Sequence, residues 1–401
     1  MTLTNATLLE RFTALDDFLI AHQRLWRPKP FTHLSLPWEQ NHPELALWLR
    51  SRSLEQAEAS HNQPHLLDAP APFPALARTA QALSDVGELP KQALPSPSPR
   101  LSVDVPGRKW QQIEAFSSHL SFDQTPQHWL DWCAGKGHLG RLLAHRGGTL
   151  TCVEYDPALV TAGQQLSARL LIDAQHLQQD VLVEDAAQHL CAARTPVALH
   201  ACGDLHVRLL QLASSAGCQQ MAVAPCCYNR IATANYQPLS RPAKQSTLHL
   251  SRDDLGLPLS ETVTAGRRQR LQRDQSMARR LAFDLLQREQ RGSDDYLPTP
   301  SLPVSWLSKD FASYCHDLAQ LKGFAINGKP DWSDLEQRGW QRLAEVRNLE
   351  LLRNLFRRPL ELWLLLDRAL YLQEQGYETR LGTFCLHSLT PRNLLLLAER
   401  P

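Results

Sequence analysis

The sequence predicts an α/β protein: a parallel sheet covered by helices, with further helices before it and a helical insertion within it. Three observations predict this. From residue 107 to Tyr228, short apolar runs alternate with amphipathic stretches about ten residues long. One of those runs passes directly into the glycine turn "LDWCAGKGHLGRLL" at residues 130–143. After Tyr228 the alternation stops, and it resumes near residue 356 with a long apolar helix and two strand-like runs. Strands that alternate with helices imply parallel pairing with right-handed crossovers.

In chain order, residues 1–89 carry helical patterns such as "ATLLERFTALDDFLIAHQRLW" and read as a helical N-terminal domain. Residues 90–106, "PKQALPSPSPRLSVDVP", are rich in proline and serine, which favours extended backbone and marks a linker. Residues 107–235 read as five strands, "PQHWLDWCAG", "TLTCVEYD", "AQHLQQD", "PVALHACG" and "CQQMAVAPCC", separated by helices that include "EDAAQHLCAAR". Residues 236–355 read as a mostly helical, arginine-rich insertion, and residues 356–401 as a helix and the last two strands.

Composition limits the function classes. A net charge of +1 argues against a surface that coats nucleic acid, leaving only a local basic patch open. The longest apolar stretch is broken by Glu361, Asp367 and Arg368, so no membrane span is expected. No basic start followed by an apolar core marks a secretory signal, and nine cysteines, an odd number, form no disulfide framework. The expectation is a cytoplasmic protein with reduced thiols.

Glycines at a strand-to-helix turn let backbone N–H groups approach a ligand at a helix N-terminus. The acids nearby decide which ligand. Asp131 ends the first strand, where a carboxylate receives an ammonium and repels a pyrophosphate. Glu154 ends the second strand about twenty residues past Gly135, placed to accept ribose hydroxyls. Asp180 ends the third, near the position of an adenine amino group. Three acids at successive strand ends match S-adenosylmethionine better than a nicotinamide dinucleotide, with Cys133, Ala134, Gly135 and Gly137 forming the turn; the competing reading is that the acids cap the following helices.

"LDWCAGKGHLGRLLA" with "VEYD" resembles the class I methyltransferase nucleotide site. "ALHACGDL" followed by "VAPCCYN" is similar to the family of methyltransferase-like protein 25 and the rRNA adenine dimethylase domain-containing proteins, as is the C-terminal "LLLDRALYLQEQGYE" with "SLTPRNLLLLAE". The resemblance implies a Rossmann-like, seven-stranded class I methyltransferase sheet whose last strand is antiparallel. It also implies S-adenosyl-L-methionine at Asp131, Gly135, Gly137, Glu154 and Asp180.

Methyl transfer is an in-line displacement, in which the protein aligns the acceptor and removes its proton. The ends of the fourth and fifth strands then supply His200, Asp204 and Tyr228 as catalytic candidates, with Tyr228 stacking on a flat substrate. Lys109, Cys226, Cys227 and Asn229 are candidate substrate contacts. No metal is expected: the cysteines lack zinc spacing and read as buried, unreactive thiols beside the cofactor. Residues 266–292 hold eight arginines and three acids; Arg267 and Arg268 there are candidate phosphate contacts, and a solvated helix with i,i+4 ion pairs such as Asp284 with Arg288 is the bland alternative. The leading expectation is a methyltransferase acting on RNA. A protein or small-molecule acceptor, a nicotinamide-linked oxidoreductase, and a non-catalytic scaffold that binds cofactor and RNA are the alternatives.

Overall fold

The computed structural model describes residues 2–260 and 266–401. Among these, eight strands form one sheet: β1 (Leu3–Thr4), β2 (His128–Trp132), β3 (Thr149–Glu154), β4 (Ala174–Gln178), β5 (Thr195–Cys202), β6 (Gln220–Cys226), β7 (Glu378–Thr383) and β8 (Leu394–Glu399), in the spatial order β1-β7-β8-β6-β5-β2-β3-β4. The pairs from β4 through β6 are parallel, and β8 lies antiparallel between β6 and β7. The strand expected to run antiparallel does so.

The count differs from the seven expected because Leu3–Thr4 pairs antiparallel with β7. The helix Asn5–Ala21 follows at once and buries Leu8, Phe12, Leu15 and Leu19. Asn5 fastens its start, accepting from the Thr379 N–H at 2.8 Å. Asp16 fastens its middle, accepting from the Trp363 indole at 2.8 Å and the Ser246 hydroxyl at 2.6 Å. No residue in β1 carries a long apolar run, so a two-residue edge strand left no period in the sequence.

Among the described residues two compact units result: residues 2–21, 83–260 and 358–401 form the sheet unit, and residues 22–82 and 266–357 form a helical unit. Segment 236–240, which the sequence grouped with the insertion, is held in the sheet unit by Asp367. That buried carboxylate accepts from the Leu239 and Ser240 backbone at 2.9 and 2.7 Å, from the Ser240 hydroxyl at 2.7 Å, and from the Tyr236 hydroxyl. In the helical unit, Arg267–Arg291 crosses Trp332–Asn354 closely: a Cβ on Gly339 would lie 2.5 Å from the Ala278 carbonyl.

The core of the sheet unit is apolar on both faces. Leu130, Val197, Ala222, Ala224 and Leu395 are fully buried along central strands, as in a sheet covered on both sides. Between β4 and β5 the expected helix is only a 3₁₀ turn, Glu184–His189. Gln179 draws that segment back to the strand end, donating to Asp185 at 2.9 Å and meeting His189 Nε2 at 3.0 Å. No helix among the described residues is long and apolar enough to cross a membrane.

Candidate active site at the carboxyl ends of the sheet

Five parallel strands, β2 to β6, end on the same edge of the sheet, where open α/β folds bind ligands. Their ends bring together all the expected cofactor residues. After β2, the turn Cys133–Gly137 folds back: the Ala134 N–H donates to the Val153 carbonyl at 3.1 Å and the Gly137 N–H to the Ala134 carbonyl at 2.8 Å. Gly137 then starts the helix His138–His145.

The acids are arranged around this turn. Glu154 accepts from the Gly135 N–H at 2.8 Å and from the Asp156 N–H at 3.1 Å, so its carboxylate stands at the mouth of the turn. Asp131 lies beneath it, 3% exposed, accepting from the Gly140 N–H at 2.9 Å. Burial pushes the Asp131 carboxyl up to about 7, against the pull of the Gly140 N–H and the Arg141 guanidinium. Asp180 follows β4 and accepts from the Leu182 N–H at 2.9 Å.

Two supporting features left little trace in the sequence. Arg141, 1% exposed, donates to the Lys136 carbonyl and lies 2.8 Å from His138 Nδ1, so a buried cation braces the turn from below. Cys133 occupies a left-handed conformation, φ 56°, which a non-glycine residue adopts at a cost. Burial raises its thiol to about 12. Arg141 was legible only as one more basic residue on an amphipathic helix.

The turn fits the expected cofactor. Gly135 has φ +57°, and a Cβ built there would meet nothing within 4 Å, so free space faces the backbone beside Glu154. Asp131, Glu154 and Asp180 stand as acids at three successive strand ends, as a cofactor with an ammonium, a ribose and an adenine would require.

The other half of the edge is built from β5 and β6. Register shifts between Leu199 and Cys202, a bulge that holds His200 at φ 65°. His200 Nε2 lies 2.8 Å from Gln112 Oε1, on the helix Gly107–Ser118. Burial, with Lys109 and Arg392 nearby, lowers the His200 imidazole to about 4, so it is neutral at neutral pH. Gln112 is the residue the sequence reading missed: it is one helical turn from Lys109, which is exposed.

Gly203 follows with φ +51°, and a Cβ there would sit 1.9 Å from the Arg230 carbonyl. Only glycine admits that approach. Asp204 is anchored to the same loop, its carboxylate accepting from the Ala232 N–H at 2.7 Å and its own N–H donating to the Arg230 carbonyl at 3.0 Å.

Two expectations need correction. Tyr228 is no stacking platform: it is 1% exposed, with Arg368 5.2 Å over its ring and His206 edge-on at 5.9 Å, and its hydroxyl is buried without a partner. The cysteines are not a set of inert thiols. Cys202 Sγ lies 3.3 Å from Cys226 Sγ, and that hydrogen bond pulls the Cys202 thiol down to about 6 while pushing Cys226 up. Cys226 and Cys227 thus enter one cluster with Cys202, and Asn229, half-buried beyond them, keeps a buried carbonyl oxygen without a partner.

The basic stretch divides into an ion-paired part, the i,i+4 pairing given as its alternative among the contacts, and an exposed start. Arg273 pairs with Glu58 at 3.1 Å, Arg279 donates to the Lys309 carbonyl at 2.9 Å, and Arg288 pairs with Asp284 at 2.7 Å, all within the helical unit. Those arginines are structural. Arg267, Arg268 and Arg270 are exposed at the start of the helix.

The strand order from β4 to β8, with the antiparallel strand inserted between β6 and β7, defines a class I methyltransferase sheet. Residues 108–234, about a third of the chain, match the family model described as a methyltransferase domain. Solved structures similar to the chain include a magnesium protoporphyrin IX methyltransferase from Synechocystis with bound S-adenosylhomocysteine, 16% identical, covering 32% of this chain and 61% of that one at a TM-score of 0.25. A T. thermophilus 16S rRNA methyltransferase is 19% identical over 33% of this chain and 35% of that one, TM-score 0.22, and the 23S rRNA methyltransferase ErmE is 12% identical over 59% and 96%, TM-score 0.25. The chain thus spans about six tenths of the porphyrin enzyme, and similarities at this level carry no information about the acceptor.

Proposed function

We propose that this protein is an S-adenosylmethionine-dependent methyltransferase whose acceptor is RNA, in keeping with the resemblance of "ALHACGDL" and "VAPCCYN" to the methyltransferase-like protein 25 and rRNA adenine dimethylase domain-containing family. The observation that carries the reading is the Glu154 carboxylate at 2.8 Å from the Gly135 N–H, beside open space at a strand-to-helix turn. In this reading Asp131 attracts the cofactor's ammonium, Glu154 exchanges its backbone contact for the ribose hydroxyls, and Asp180 accepts from the adenine amine. When bound, the cofactor supplies an electrophilic methyl group on a sulfonium.

The acceptor approaches from the β5 and β6 side. With Gln112 Oε1 accepting at Nε2, the His200 tautomer carries its proton there and offers Nδ1 as the base that takes the acceptor's proton. Asp204, the other catalytic candidate at this strand end, also holds the 230–232 loop in place. Lys109, exposed on the Gly107–Ser118 helix, and Arg267 and Arg268 supply positive charge for phosphates.

Calorimetry with S-adenosylmethionine, S-adenosylhomocysteine and NAD tests the cofactor: the first two bind, NAD does not, and Glu154→Ala weakens both about tenfold or more, equivalent to roughly 1.4 kcal/mol. Labelled methyl transfer into cellular RNA and protein fractions tests the acceptor. Label in protein alone, or RNA binding unchanged in an Arg267→Glu, Arg268→Glu, Arg270→Glu variant, removes RNA from the reading.

A further inference from the structure

The Sγ atoms of Cys202, Cys226 and Cys227 all lie within 4.8 Å of one another, the one group of three metal-ligating side chains found this close among the described residues. They come from two adjacent strand ends, and the fold brings them together by two irregularities. The bulge at His200 places Cys202 opposite Cys226 in the β5–β6 register, and Cys227 turns back through a left-handed conformation at φ 43°. Without that turn, adjacent residues in an extended strand project to opposite faces.

We propose that Cys202, Cys226 and Cys227 form a three-thiolate zinc site at the carboxyl ends of β5 and β6. A tetrahedral zinc with sulfur about 2.3 Å away sets neighbouring sulfurs about 3.8 Å apart. The 3.3 Å between Cys202 and Cys226 and the 4.8 Å limit on the group bracket that value. Three thiolates on a divalent ion leave one negative charge, and the positive charges of Arg230 and Arg392, which act on Cys202 and Cys227, oppose it. Soft sulfur donors favour zinc over magnesium or calcium. With three protein ligands, the fourth corner stays open to water or a substrate atom, the arrangement of a zinc that takes part in chemistry. Binding converts three thiols to thiolates and releases their protons to buffer, so the charge balances without any oxidant.

The test is metal content of the full chain purified without chelator, beside the Cys202→Ser and Cys227→Ser variants, with circular dichroism to show that each stays folded. Roughly one zinc per chain in the parent, falling by about tenfold in each variant, is the expected result. Cobalt substitution of the parent needs no variant to fold: strong sulfur-to-cobalt charge-transfer absorption with tetrahedral d–d bands supports the site. Zinc retained in both serine variants overturns it, as does cobalt uptake without thiolate absorption. Two thiols missing from a count on the denatured, unreduced chain, at the level expected for a Cys202–Cys226 disulfide, overturns it in favour of redox pairing.

Discussion

At the ends of β2, β3 and β4 the three acids make local polar contacts, whereas at the ends of β5 and β6 several contacts reach across the chain. Gly140 to Asp131 spans 9 residues, Gly135 to Glu154 spans 19, and Leu182 to Asp180 spans 2. His200 to Gln112 spans 88, Leu239 to Asp367 spans 128, and Arg368 to His206 spans 162. One half of the edge is therefore a self-contained turn that positions a ligand. The other is an assembly whose geometry depends on the helices Gly107–Ser118 and Arg357–Glu374.

Deleting a long-range anchor should cost folding, and deleting a local acid should cost ligand affinity. Asp367→Ala removes a buried carboxylate that accepts at least four hydrogen bonds, leaving those buried donors without their acceptor. The expected loss is about 3–5 kcal/mol by urea denaturation. Glu154→Ala, by contrast, should unfold at nearly the parent midpoint. Equal stability losses at the two sites would erase the distinction between the halves.

The glycines offer the same contrast at smaller scale. Gly203→Ala forces a Cβ against the Arg230 carbonyl at positive φ, with an expected cost of roughly 3 kcal/mol from the clash and the left-handed conformation together. Gly135→Ala has the same backbone sign but open space around it, so only about 1–2 kcal/mol is lost. Its larger effect falls on cofactor affinity. A Gly135→Ala chain that binds S-adenosylmethionine as the parent does would show that the open space is not where the cofactor lies.

This contrast explains what could be read from the sequence. "LDWCAGKGHLG" and "VEYD" carry their geometry within a few residues, so the glycine turn and the place of Glu154 at a strand end follow from spacing alone. Tyr228 and the cysteines could not be placed that way. Tyr228 is turned inward by Arg368, more than a hundred residues away, and Cys226 and Cys227 share a cluster only because backbone irregularities interrupt the alternation that spacing assumes. The basic stretch was legible only in part: the i,i+4 pair of Asp284 with Arg288 follows from spacing, whereas Arg273 and Arg279 find Glu58 and the Lys309 carbonyl outside the helix.

Asp131 tests how far the local half is independent of charge. Its folded pKa of about 7 lies above the ordinary 3.8, so between those values the folded chain holds a proton that the unfolded chain gives up. Stability from this group is therefore present below pH about 4 and is lost as pH rises to about 7. Asp131→Asn keeps an acceptor for the Gly140 N–H and removes the titration. Denaturation at pH 5 and pH 7.5 should show a smaller stability drop in the variant. In the proposed role a bound ammonium favours the ionised form, so cofactor binding near pH 6 should release a proton in the parent and none in Asp131→Asn. Calorimetry in buffers of different ionisation enthalpy reads this directly, and equal proton release in both chains would move the ammonium away from Asp131.

The smallest expected effect belongs to Tyr228. Its ring fills the core between His206 and Arg368, but its hydroxyl is buried without a hydrogen-bond partner. Burying an unsatisfied hydroxyl costs folding free energy, so Tyr228→Phe should change stability by no more than about 1 kcal/mol, in the stabilising direction. Methyl transfer should be unchanged in that variant and reduced in His200→Gln, whose side chain offers no imidazole base. A drop of about a hundredfold in Tyr228→Phe turnover at parent stability would place the hydroxyl on the reacting atoms. The aromatic ring would then have to leave the Arg368 contact during turnover, and the long-range half of the edge would be the part that moves.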